Sequence, residues 1–272
     1  MKRTISIIIA TLIVMFTAFI AYTPLSPTAT AQNAAKKQLY TVNIRHVMPE
    51  LMEEYLNFTK NHMNPLRVKG GAKSSLVWIV ANGPQNTVIT ASPIDNFAAQ
   101  DNPIGIPKAL DADAAAVVFQ QHAKYLRHQE SYIIESLPES SWTNPKFKEL
   151  PKFAILRWQK VAYGRTQEYE DYFKNYEIPM RKKIVEQSNL LGQWRYRIRF
   201  GSDSSTYLMM RPFENYAELD NTKGLAEILG EAEVKKIYDQ LPKGVIVSDD
   251  AWILRYRPDL SILPQPTTAE KK

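Results

Sequence analysis

The sequence contains no cysteine. That single absence removes disulfides, thiolate nucleophiles, cysteine-ligated zinc and a lipid-modified cysteine anchor together. Histidine is scarce as well: His46, His62, His122 and His128 are the four in 272 residues, and all lie in the first half. No G-x-S-x-G, Walker loop, H-E-x-x-H or dinucleotide glycine pattern occurs, so the commonest nucleophilic-serine, nucleotide-binding and zinc-protease chemistries lack their local signatures. Charge is mild, at a formal +6. No basic tract with interleaved aromatics is present, and Lys36, Lys37, Lys271 and Lys272 fall in terminal segments, so no nucleic-acid partner is expected.

What is present first is an export pattern. Lys2 and Arg3 precede an apolar run from Ile5 to Tyr22, and a Pro/Thr segment ends in Ala29-Thr30-Ala31. The layout predicts a secretory signal over residues 1–31, cleaved before Gln32, after which no stable membrane span remains. An uncleaved anchor is the alternative, since the run is barely long enough to cross a bilayer. Cleavage leaves 32 basic against 28 acidic residues. The export product is expected in the periplasm or outside the cell. Without disulfides it must rely on its core, and a hydrophobic content of 44% is enough for one.

Behind the signal the chain repeats itself. Glu54 to Arg67, EYLNFTKNHMNPLR, returns at Glu168 to Arg181 as EYEDYFKNYEIPMR, displaced by 114 positions. Pro93 to Ala98 is echoed by Pro212 to Ala217 at a displacement of 119, and Glu130 to Glu139 by Asp250 to Asp259 at 120. Three ordered blocks, present twice, argue duplication of a domain rather than a solenoid. The boundaries read as a disordered segment 32–37, a first copy 38–140, a linker 141–151, a second copy 152–261 and a disordered tail 262–272.

Each copy reads as strand, helix, strand, strand, helix, strand. Leu39 to His46 alternates, with Tyr40, Val42 and Ile44 opposite Thr41, Asn43 and Arg45. Met48 to Arg67 is apolar at helical spacing and ends at Gly70-Gly71. Leu76 to Ala81 and Thr87 to Ala91 flank the turn signal Asn82-Gly83-Pro84, helix fills Asn96 to about Tyr125, and Tyr132 to Leu137 closes the copy. The second copy follows the same plan. The fold class expected is α+β: two tandem ferredoxin-like βαββαβ repeats, each with its helices on one sheet face, pairing their open faces as an intramolecular dimeric α/β barrel.

This order and duplication resemble the dimeric α+β barrel superfamily over residues 38–261. The aromatic and Asn/Pro-rich blocks are most similar to its NIPSNAP and antibiotic-monooxygenase-like branches. The resemblance implies a cavity between the two sheets. It also keeps haem open through His46, His122 or His128, since the superfamily has haem-binding members. No cofactor and no metal site are otherwise expected, because His122 and His128 are six apart with no carboxylate three or four positions from either.

The most informative strand is Trp194-Arg195-Tyr196-Arg197-Ile198-Arg199-Phe200, where alternation separates four apolar residues from three arginines. If the apolar set packs under the helices, the arginines point to the open face, joined there by Arg157 and by Arg255 with Arg257. A cavity so lined, with an apolar wall from the Leu76 strand, would suit an anion, because guanidinium donates bidentately to carboxylate or phosphate. The plainer alternative is a charged sheet edge that discourages aggregation. The expected ligand-binding residues are Asn43, Arg45, Trp78, Arg157, Arg195, Arg197 and Arg255. His62 reads as a core histidine. Lys60, Asn61 and Pro65 with their second-copy partners read as a shared helix kink. The function expected is binding of a small anionic or aromatic ligand between the sheets. Two alternatives stand beside it: a cofactor-independent monooxygenase-like enzyme using Asn43, Trp78 and Arg157, and a structural or assembly protein without a ligand. The residues leave open both whether the chain is an enzyme and whether two chains pair as a homodimer.

Overall fold

The computed structural model describes residues 36–264 except 103, 148, 186, 189 and 222–224. The expected signal, most of the 32–37 segment and the end of the tail lie outside the described residues. In chain order the first half comprises β1 (Leu39–Val47), α1 (Met52–Phe58), a π-helical turn (Thr59–Met63), α2 (Asn64–Lys69), β2 (Leu76–Asn82), β3 (Thr87–Ile94), α3 (Ile106–Ala109), α4 (Ala112–Ala123) and β4 (Leu126–Ser136). After the short β5 (Trp142–Thr143) come β6 (Phe153–Val161), α5 (Thr166–Tyr172), a second π-helical turn (Phe173–Glu177), α6 (Ile178–Ile184), β7 (Gly192–Phe200), β8 (Thr206–Phe213), α7 (Ala217–Asn221), α8 (Leu225–Leu229), α9 (Glu231–Tyr238) and β9 (Ile246–Tyr256). β1 and β6 start at 39 and 153, the π turns at 59 and 173, β3 and β8 at 87 and 206, and β4 and β9 at 126 and 246. The elements are thus displaced by 114, 114, 119 and 120, the displacements of the sequence blocks.

The strands run in the order β4-β1-β3-β2-β9-β6-β8-β7, and β7 pairs back onto β4. Every one of these pairings is antiparallel, so the sheet is a closed eight-stranded barrel. Closure leaves no long unpaired edge. The two seams, β2 with β9 and β4 with β7, join the halves.

Period-two alternation sends Tyr40, Val42, Ile44, Leu76, Trp78 and Val80 inward to meet Leu156, Ile198, Leu208 and Leu254. The alternation is as expected, but its phase is the reverse of the one expected. Tyr196 and Ile198 of β7 fill the barrel, and Arg195 lies on the helix side with its guanidinium over the rings of Phe173 and Tyr169. On β6, likewise, Leu156 and Trp158 point inward and Arg157 outward to the helix side. The cause is electrostatic. A guanidinium on the barrel axis would be desolvated with no polar partner, at a cost of several kcal/mol. On the helix side Arg157 and Arg197 meet Asp249 and Glu170, and Arg195 meets the rings of Tyr169 and Phe173.

Smaller apolar clusters sit between sheet and helices: Val47, Tyr55, Val77 and Val88 in the first half, joined by Leu260 from beyond β9, and Val161, Tyr169, Tyr172, Phe173 and Tyr207 in the second. The shared proline shapes both helices. Pro65 and Pro179 lack an N–H for the carbonyl four residues back, and each follows a π turn in which Asn64 and Ile178 donate to Thr59 and Phe173, five residues back. The wider turn absorbs what a regular α-helix would leave broken.

Three further expectations are corrected. β4 begins at Leu126, so His128 is on a strand directly opposite His46. His62 is exposed and stacks on Phe58; its helical position faces away from the sheet. Ile262, at the start of the expected tail, is buried and bridged to Ser75.

Candidate functional site

The barrel divides the molecule into three compartments. Its interior encloses about 60 Å³ among Tyr40, Trp78, Trp158, Trp194, Tyr196 and aliphatic side chains. That space is apolar and too small for an aromatic organic ligand. Trp78 belongs here and to no other compartment.

The second compartment lies in the second half, between the outer faces of β6, β7 and β8 and the helix above them. It encloses about 340 Å³, within the range of small-molecule sites. Ile155, Met209, Tyr172, Phe173, Tyr238 and Leu241 give it an apolar and aromatic wall, and Arg157, Arg181 and Arg211 enter it with Gln159, Gln193 and Glu177. Arg157 pairs with Asp249 at 2.5 Å, and Arg181 with Glu177 at 3.4 Å. Among the described residues Arg211 has no acidic partner. Burial holds its guanidinium below the ordinary arginine range, and the charges of Arg181 and Arg157 add to this. Beneath the floor Arg195 is 1% exposed, 3.2 Å from the Phe173 ring centre, and among the described residues its Nε and Nη1 have no hydrogen-bond partner. Cation–π contact offsets part of the cost of burying it. Tyr169, which donates to Gln159, is pushed up to about 12 by burial, against the pull of Arg195.

The third compartment is the corresponding cleft of the first half, about 220 Å³ among Asn43, Arg45, Tyr55, Thr59, Arg67, Thr90 and His122. It adjoins a cavity of about 360 Å³ that shares Asn43, Arg67, Ile104 and Gly105 with it. At the displacements above, Arg67 occupies the place of Arg181, Asn43 that of Arg157, and Met63 that of Glu177.

The expected site residues are therefore dispersed. Asn43 and Arg45 line the first-half cleft, Arg157 lines the second-half cleft and Arg195 lies under it, while Trp78 is inside the barrel. Arg197, on the helix side, pairs with Glu170 at 3.6 Å. Arg255 is exposed on the outside, its guanidinium 5.6 Å from the Phe153 ring. Asn43, Trp78 and Arg157, grouped as an oxygenase constellation, face three different compartments and do not meet, because Trp78 has the opposite strand phase and Arg157 lies in the other half. Sequence reasoning missed Arg211 and Thr59, and it named His122 only as a candidate haem ligand. It held a signal for Arg67 and Arg181, which recur in the repeated block and both enter a cleft.

At one end of the barrel His46 and His128 stack at 5.8 Å, and each has Nε2 near Glu130 Oε1, at 3.4 and 3.5 Å. Glu130 also accepts from Tyr132. Among the described residues no group of three or more acidic or histidine side chains is arranged to hold a metal ion, and no helix is long and apolar enough to cross a membrane.

No protein-family model and no curated protein matches the chain. Solved structures do resemble it. A candidate monooxygenase from Lactobacillus acidophilus NCFM superposes with a TM-score of 0.54 at 10% identity, covering 84% of this chain and 97% of that one. An anthrone oxidase-like protein gives 0.55 at 10% identity, covering 83% and 94%. A candidate monooxygenase from Fusobacterium nucleatum gives 0.51 at 12% identity, covering 82% and 94%. At such identities the likeness is one of fold, and the chain has the closed α+β barrel fold of antibiotic-monooxygenase-like proteins.

Proposed function

We propose that this chain is an exported protein of two tandem ferredoxin-like copies whose second-half cleft binds a small aromatic anion. The observation that carries this is Arg211, a cation without an acidic partner among the described residues, in a cleft walled by Tyr172, Phe173 and Tyr238. Arg157 and Arg181 flank it, and Arg195 below adds a buried charge that has no ion-pair partner among the described residues. Evolution of a merely structural cleft has no use for that arrangement, since an apolar residue in place of a buried unpaired charge stabilises a fold. An aromatic carboxylate would place its ring on the tyrosines and its oxygens on the guanidiniums.

The test is calorimetric titration of protein lacking residues 1–31 with benzoate, alongside a native mass spectrum of protein recovered from the periplasm of an expression host. Saturable binding is expected, weakened at least about tenfold in Arg211→Gln, the loss expected when a charged hydrogen bond is removed. Arg195→Met is expected to weaken binding while leaving the melting temperature unchanged or higher. Absence of saturable binding and of any co-purified small molecule would sink the reading, and so would a large loss of stability in Arg195→Met. Oxygen uptake with a bound aromatic anion would instead support the second reading, an oxygenase, which the descriptions of two fold neighbours favour.

A further inference from the structure

The first-half cleft differs from its counterpart in a way that duplication alone does not require. Glu177, which neutralises Arg181 in the second half, is replaced here by Met63, and among the described residues no carboxylate lines the cleft. Arg45 and Arg67 nevertheless both enter it. Arg45 donates to Gln129 and Thr90 at 3.0 and 2.9 Å, and Arg67 to Ser92 and Asn64 at 3.2 and 3.5 Å. These neutral acceptors aim the guanidiniums without cancelling their charge. A guanidinium carries five N–H donors, so each keeps donors unspent among the described residues. Thr59, 8% exposed and in the first position of the π turn, has a hydroxyl with no partner among the described residues and lines the same space. His122, also 8% exposed, closes the cleft from the last turn of α4.

We propose that this cleft is a second anion site with a different ligand: a hydrophilic organic oxyanion, its charged group between Arg45 and Arg67. The ligand's body extends into the adjoining 360 Å³ cavity, where Ser74, Ser92, Gln100 and Asn102, with Lys73 and Asp95 of opposite charge, replace the aromatic wall of the second half. Arg45 and Arg67 face the smaller cleft without a carboxylate in its lining, and Asp95 of the adjoining cavity forms no ion pair with either among the described residues, so a bound oxyanion supplies the compensating charge. The ligand's oxyanion is carboxylate or phosphate. The two differ in charge and in the number of oxygens offered, so the test includes both.

The four histidines make the experiment direct. Imidazole resonances of the chain lacking residues 1–31 are followed by NMR during titration with inorganic phosphate, glycerol 3-phosphate and glycerate, with His122 assigned from His122→Gln. Saturable movement of the His122 signal is expected. Tighter binding of glycerol 3-phosphate than of phosphate identifies a phosphorylated ligand with its body in the adjoining cavity. Tighter binding of glycerate identifies a carboxylate. Arg67→Gln is expected to weaken the response at least tenfold, and Arg211→Gln, in the other half, to leave it unchanged. Should Arg67→Gln misfold, Arg45→Gln serves with the same expectation. A His122 signal that none of the three anions moves would overturn the proposal, as would a response unaltered by both cleft arginine substitutions. Benzoate binding at Arg211 can fail or succeed independently, so the two readings are separable.

Discussion

At the scale of single residues, His122 is the group whose surroundings most change its chemistry. Burial pushes its pKa from 6.5 down to about 4, and Arg45 and Arg67 push it further in the same direction. The folded protein therefore holds His122 neutral where the unfolded chain would protonate it. Above pH 6.5 both states are neutral at this site and it contributes nothing to the pH dependence. As pH falls from 6.5 toward 4, the unfolded state binds a proton that the folded state refuses, and stability is lost. The full loss is about 3 kcal/mol by linkage. In urea unfolding across that interval, without phosphate in the buffer, His122→Gln should show a flatter decline than the parent, with the two converging in slope above pH 6.5. An unchanged slope would mean that the imidazole takes up its proton within the fold. Arg67 is depressed to about 10 by burial, with Arg45 adding to it, and remains a cation throughout this range.

At the scale of elements, alternation, turns and the doubled block were readable in the chain because each is a local property. The phase of the alternation was not. A strand covered on one face by helices and on the other by a second sheet has no solvent side to identify it. Trp194 to Phe200 could have turned its arginines either way until the partner of each face was known. The long β4 was missed at its start because Leu126 to Gln129 reads equally as the end of α4. The π turns leave no periodic mark beyond Pro65 and Pro179, yet they present Thr59 with Met63, and Phe173 with Glu177, to the two clefts.

The seams between the halves have their own signature in Gly201, just past β7 at φ +99°, where a Cβ would lie 2.2 Å from the carbonyl oxygen of Ser131 on β4. Both the positive φ and the close backbone approach demand glycine. Gly201→Ala is expected to cost roughly 1–3 kcal/mol, as overpacking against backbone does. Hydrogen exchange should rise first at Ile133, Ile134 and Phe200, which pair across that seam. Uniform exchange changes throughout the chain would show instead that the seam has no independent opening.

At the scale of the whole molecule, the barrel closes only because each half supplies what the other lacks. Residues 36–140 alone would expose the inward set Tyr40, Val42, Ile44, Trp78 and Ile134, together with the unpaired edges of β2 and β4. An apolar sheet face and two open edges do not persist in water. On the proposed duplication, β2 of one such fragment can take the place of β7 for the β4 of another, and β4 the place of β9 for β2. The isolated fragment is thus expected to sediment as a dimer with an eight-stranded barrel rather than as a monomer. That dimer would carry the Arg45 and Arg67 cleft twice and the Arg211 cleft not at all, so it should bind two glycerol 3-phosphate or glycerate per dimer and no benzoate. A folded monomer would show that the halves are not interchangeable units. A dimer that binds benzoate would place the aromatic site outside the second-half cleft and remove Arg211 from it.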